Sequence, residues 1–134
     1  MKTSASVLLS FIVLGLNPPV AQAADRVRAG QWETTLAMKS GSPTTIKTCM
    51  TATEAGFLNG GSAALRKYLE KSTAEKTNGR CALKDLKVNG NEITVTTVCG
   101  KTTTAVTTTY HGDRYASSST GGVTIKGKRL GACP

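Results

Sequence analysis

Polar and apolar positions alternate along Gln31-Trp32-Glu33-Thr34-Thr35-Leu36-Ala37-Met38, with Trp32, Thr34, Leu36 and Met38 on one side. A period of two predicts a half-buried strand. It makes Trp32 a core anchor and turns Glu33 toward solvent. Gly30 punctuates the start, and the polar stretch from Ala24 to Ala29 reads as a loose leader. Lys39-Ser40-Gly41-Ser42-Pro43 predicts a turn, and the β-branched run Thr44-Thr45-Ile46-Lys47-Thr48-Cys49 predicts the returning strand of a hairpin. The period then changes. Thr51-Ala52-Thr53-Glu54 matches a capping box, in which the Thr hydroxyl accepts from the Glu amide and the Glu carboxylate accepts from the Thr amide. A short helix starting there should end at Asn59-Gly60-Gly61. Ser62 suits the cap of a second helix, Ala63 to Lys71, whose Leu65, Tyr68 and Leu69 share a face.

From Cys81 onward the chain reads as strands again. Cys81 to Val88 leads into Asn89-Gly90, a strong hairpin signal, and Ile93, Val95, Thr97 and Cys99 then alternate on one face. Gly100-Lys101, His111-Gly112-Asp113 and Gly121-Gly122 separate three further strand-like segments. Consecutive Thr residues between Thr102 and Tyr110 place a β-branched stem on both faces, so pattern alone specifies register poorly there. The expected fold is mainly β (β-rich α+β). An antiparallel meander of about six or seven strands forms a sandwich or barrel-like sheet, with one or two short helices between Thr51 and Lys71 as a lid.

The N-terminus has a different character. Lys2 precedes an uncharged apolar run from Val7 to Leu16, Asn17-Pro18-Pro19 breaks any helix, and Ala21-Gln22-Ala23 has the small-x-small form of a secretory cleavage site. The run is about half the roughly 20 residues a membrane span needs. Residues 1–23 therefore read as a signal peptide and residues 24–134 as a single disulfide-stapled β-rich domain, exported to the periplasm or secreted, with no transmembrane span in the mature chain.

Composition narrows the picture. The domain is poor in large apolar groups, its aromatic residues being Trp32, Phe57, Tyr68, Tyr110 and Tyr115, so covalent links matter for its stability. Its four cysteines, Cys49, Cys81, Cys99 and Cys133, are even in number and widely spaced, which in an oxidising compartment predicts two disulfides rather than a metal site. Three pairings are open to four cysteines. The Asn89-Gly90 hairpin brings Cys81 within one residue of facing Cys99, an offset a bulge absorbs, which leaves Cys49 for Cys133. The formal net charge is +9, with Lys and Arg spread along the whole chain. Without a basic stripe and interleaved aromatics, that charge favours solubility over nucleic-acid binding.

Candidate catalytic chemistry is thin. His111 is the only histidine. In the Tyr110-His111-Gly112-Asp113 turn it could act as a general base only with a nucleophile and an orienting acid beside it. Hydroxyl groups are so abundant that a sequence triad says little. No acids lie in a pattern that marks paired acid–base work, and Asn59-Gly60-Gly61-Ser62 lacks the lysine and glycine spacing of a phosphate loop.

Several motifs occur together in order. They are Gly30-Gln31-Trp32-Glu33, Cys49-Met50-Thr51-Ala52-Thr53-Glu54, Cys81 before Asn89-Gly90-Asn91, Cys99-Gly100, Tyr110-His111-Gly112-Asp113, and Lys128-Arg129-Leu130-Gly131-Ala132-Cys133. In this the chain resembles the DUF3617 family of small exported bacterial proteins, over roughly Arg28 to Cys133. The resemblance implies a bacterial, periplasmic setting and carries over no catalytic residue, substrate or cofactor.

These readings lead to an exported, non-enzymatic binding or interaction module of the cell envelope. It needs no cofactor, and its partner is an envelope component or another protein rather than nucleic acid. One alternative is an inhibitor of a hydrolase that attacks the envelope. Another is a small hydrolase that uses His111.

Overall fold

The computed structural model describes residues 25–134, so the expected signal peptide lies outside the described residues. Seven strands form one antiparallel sheet. They are β1 (Gly30–Ala37), β2 (Thr44–Met50), β3 (Cys81–Asn89), β4 (Glu92–Cys99), β5 (Thr102–Tyr110), β6 (Arg114–Ser119) and β7 (Thr124–Gly131). Helices α1 (Ala52–Asn59) and α2 (Ser62–Thr77) connect β2 to β3. The order across the sheet is β2-β1-β7-β6-β5-β4-β3. A five-strand meander thus runs from β3 to β7, and the N-terminal hairpin closes onto its last strand. The mainly β, antiparallel architecture expected from the sequence is the one that forms.

Turn chemistry sets the meander's register. Asn89 faces Glu92, so the hairpin's central residues are Gly90 and Asn91, with Gly90 at φ 57°. That frame alone would set Cys81 against Gly100. One unpaired residue, Lys84, bulges between Leu83 and Asp85 and moves Cys81 opposite Cys99. Gly100 repeats the turn solution between β4 and β5, at φ 59°.

One face of the sheet carries the core. Trp32 on β1, Ile93 on β4 and Tyr110 on β5 are buried against Ala55 of α1 and Leu65 of α2. Tyr115 on β6 bridges the aromatic groups, its ring 5.4 Å from Trp32 and 5.9 Å from Tyr110. Gly127 on β7, opposite Tyr115, is buried beneath that ring, and any Cβ there would collide with it. The Tyr115 hydroxyl lies 2.8 Å from the Thr34 hydroxyl, which satisfies both polar groups within the sheet.

Four sequence expectations change. Gly61 rather than Ser62 holds the N-cap of α2, and Ser62 is already its first helical residue. Met38 lies beyond β1 and is 60% exposed, because the strand ends at Ala37 before the pattern does. Helix α2 continues past Lys71 to Thr77, where Asn78 takes the left-handed conformation (φ 52°) and Gly79 follows. The stretch before Gly30 is not loose. Val27 is buried in the core, Arg26 donates to the carbonyls of Leu58, Gly60 and Gly90, and Val27 bridges in parallel to Gly112.

Candidate functional site

The capping box is present at the start of α1: Thr51 Oγ1 accepts from the Glu54 amide at 3.2 Å, and Glu54 Oε2 accepts from the Thr51 amide at 2.8 Å. It fixes α1 directly after β2. Gly60 and Gly61 then turn the chain into α2. The two helices bury Ala55 and Leu65 against the sheet, with Tyr68 half-buried at the margin of that core and Phe57 half-buried beside it. There the two rings stack, centroids 4.6 Å apart and planes 10° from parallel.

This stack forms part of a groove of about 560 Å³ between the helices. Glu54, Lys67, Lys71, Glu75 and Lys76 also line it. Lys71 faces Glu75 at 3.8 Å, one turn away on α2, while Lys67 and Lys76 make no ion pair among the described residues. Burial, and secondly the Glu54 carboxylate, push the Tyr68 phenol above its ordinary pKa. The phenol therefore stays protonated and available as a donor at neutral pH. The groove thus offers a stacked aromatic surface, one phenol and two unpaired ammonium groups.

A second, shallower concavity of about 410 Å³ crosses β5, β6 and β7. Thr107, Thr109, Ser118 and Thr124 line it together with Ala116 and Ile125. It has no aromatic residue. Glu33 does not stand alone in solvent: its carboxylate meets Lys128 Nζ at 3.1 Å.

The sequence-level residues fall apart in space. The His111 amide donates to the Arg114 carbonyl at 2.8 Å and the Asp113 amide to the His111 carbonyl at 2.9 Å, so the segment is a tight turn. The Asp113 carboxylate accepts from Arg28 at 3.2 Å, and no hydrogen bond joins the His111 ring to a carboxylate or hydroxyl among the described residues. Cys49 lies bonded to Cys133 with Cα atoms 5.6 Å apart, and Cys81 to Cys99 with Cα atoms 4.2 Å apart. Among the described residues no three of His, Cys, Asp and Glu converge as metal ligands, and no helix is long and apolar enough to cross a membrane. Sequence reasoning placed Tyr68 on the face of Leu65 and Leu69 and gave Phe57 no role. Their contact depends on the angle between two helices, and the Gly60-Gly61 link does not encode that angle.

A seven-stranded antiparallel sheet with a two-helix crossover and two cross-links is the class that these features define. The chain belongs to the family described as protein of unknown function (DUF3617), which it matches over residues 27–133. Comparison with curated proteins and with solved structures gave no match.

Proposed function

We propose that this protein is an exported, non-enzymatic binding module of the bacterial envelope, holding in its α1–α2 groove a ligand with an apolar body and an anionic group. The observation that carries this reading is the partly buried Phe57–Tyr68 stack, set in the groove beside Lys67 and Lys76, which make no ion pair among the described residues. Ligand sites combine an apolar floor with a few polar groups that fix orientation. Here the rings take the apolar body and the ammonium groups take the anion.

The test is calorimetric titration with monomeric dodecyl phosphate. Saturable binding should weaken by at least about tenfold in Phe57→Ala and in Lys67→Glu/Lys76→Glu, with melting temperatures near wild type in the charge-reversal variant. Absence of binding, or binding indifferent to both variants, defeats the assignment. The enzyme alternative has its own test. Turnover of an ester, glycan or peptide substrate that disappears in His111→Ala, at unchanged thermal stability, would replace the binding reading with a hydrolase. Export predicts a mature N-terminus at Ala24, two residues before the Arg26 anchor, and N-terminal sequencing of the secreted protein reads it directly.

A further inference from the structure

The two edges of the sheet are built differently. Edge β3 is blunted: it carries the Lys84 bulge, three charged residues in nine (Lys84, Asp85, Lys87), and an Arg66–Asp85 ion pair from α2. These are the devices by which sheets refuse further strands. Edge β2 has no bulge and no covering ion pair. Its register with β1 is unbroken from Met50 to Thr44, it holds a single charge, Lys47, and six of its seven residues are exposed. Ile46 at its centre is 52% exposed.

Edge β2 is also held rigidly. The Cys49–Cys133 bond fixes one end, and the Thr45 hydroxyl lies 3.1 Å from that of Thr35 near the other. An incoming strand would meet an edge already ordered, which lowers the entropic cost of association.

From this asymmetry we infer that β2 is a docking edge for a second copy of this chain, joined antiparallel about a two-fold axis through Ile46. The sequence of the edge selects that register. Centred on Ile46, the pairs are Ile46 with Ile46 of the second copy, Thr45 with Lys47, and Thr44 with Thr48. Both exposed isoleucines meet, threonines face threonines on the same side of the sheet, and each lysine faces a hydroxyl. Pro43, which has no amide hydrogen, ends the ladder on both sides. Shifting the axis to Lys47 sets the two lysines directly opposite, which is unfavourable. Shifting it to Thr45 brings Pro43 into the ladder opposite Lys47. The product is one continuous sheet across two molecules, with the blunted β3 edges at its outer ends, so association stops at two. Both molecules are basic, so their general repulsion is screened as salt rises and dimerisation strengthens with ionic strength.

The experiment uses the purified protein with both disulfides formed. Sedimentation equilibrium should show a monomer–dimer equilibrium, tighter in higher salt, weakened by at least about tenfold in Ile46→Lys and retained in Ile46→Val. Ile46→Cys should form a covalent dimer through its new residue under mild oxidation, since two-fold-related partners in a ladder have Cβ atoms about 5 Å apart. Lys47→Cys should not. A wild type that stays monomeric up to about 1 mM overturns the inference. So does a dimer that ignores Ile46→Lys, or one that cross-links through position 47 and not 46.

Discussion

Asn59 holds Val27 by both backbone groups: the Val27 amide donates to Asn59 Oδ1 at 3.0 Å, and Asn59 Nδ2 donates to the Val27 carbonyl at 2.8 Å. The residue that closes α1 thereby fastens the N-terminal strap. Arg26 adds bonds to Leu58, Gly60 and Gly90, so one short segment ties α1 to the β3–β4 turn.

Replacing Asn59 with Leu leaves the Val27 amide and carbonyl without those partners beside a buried side chain. The expected loss is about 1–3 kcal/mol, read by urea denaturation. Asn59→Asp keeps the acceptor and loses the donor, so it should fall between wild type and Asn59→Leu. Equal stability of all three would show that the strap contributes nothing.

The aromatic row depends on an absent side chain. Gly127→Val forces Tyr115 off its seat over β7 and so disturbs Trp32, 5.4 Å from that ring. Overpacking of this kind costs about 1–3 kcal/mol. Emission from Trp32, 1% exposed in the folded protein, should be blue-shifted in wild type and move to longer wavelength in the variant. Trp32→Ala should cost more, about 3–5 kcal/mol.

Removing the two cross-links should have unequal effects. Cys49–Cys133 closes a separation of 84 residues and Cys81–Cys99 one of 18. Chain entropy gives about 4–5 kcal/mol for the first and about 3 kcal/mol for the second. Denaturation of the Cys49→Ser/Cys133→Ser and Cys81→Ser/Cys99→Ser proteins should rank them in that order. The reverse ranking would mean that loop closure is not what makes the long link matter. Peptide mapping without reduction should recover the same two pairs.

Alkaline stability follows from Tyr110. Burial first, and the neighbouring Tyr115 second, push its pKa from 10.0 up to about 12. Between those values the unfolded chain releases the proton that the folded chain keeps. Stability from this group is therefore full below pH 10 and declines as pH rises toward 12, by about 2–3 kcal/mol in all. Rapid urea titrations across that window should show the decline in wild type and flatten it in Tyr110→Phe.

Local chemistry in the sequence was sufficient for much of this architecture. The Thr51–Glu54 box, the glycine turns at Gly90 and Gly100, and the alternation around Trp32 each rest on neighbours in the chain. The Cys81–Cys99 juxtaposition was legible because one hairpin brings the two within a residue of each other, an offset the Lys84 bulge takes up. What the pattern missed depends on contacts between distant segments. Val27 is a lone apolar residue between two arginines, with no period to mark it. Its burial follows from Asn59 and Gly112, which lie 32 and 85 positions away. The closing pair of β1 with β7, the Phe57–Tyr68 stack and the difference between the two edges have the same origin. The extension of α2 is a different case, since Asn78-Gly79 carried a stop signal that marks its end.

The pairing of β1 with β7 has a kinetic consequence. Strands β3 to β7 are joined by short turns, so they can assemble from local contacts as the chain emerges. The hairpin β1–β2, made first, has no lateral neighbour until β7 appears: Thr35 meets Lys126, about 90 residues later. Cys49 likewise waits for Cys133. Nascent chains of this protein therefore pass through a long interval in which Trp32 and the first hairpin are synthesised but unsheltered. Contacts so distant in sequence are slow to form. Cooperative completion is deferred until β7 and Cys133 arrive, and that interval is when the chain is most open to proteases and to mispairing of its thiols.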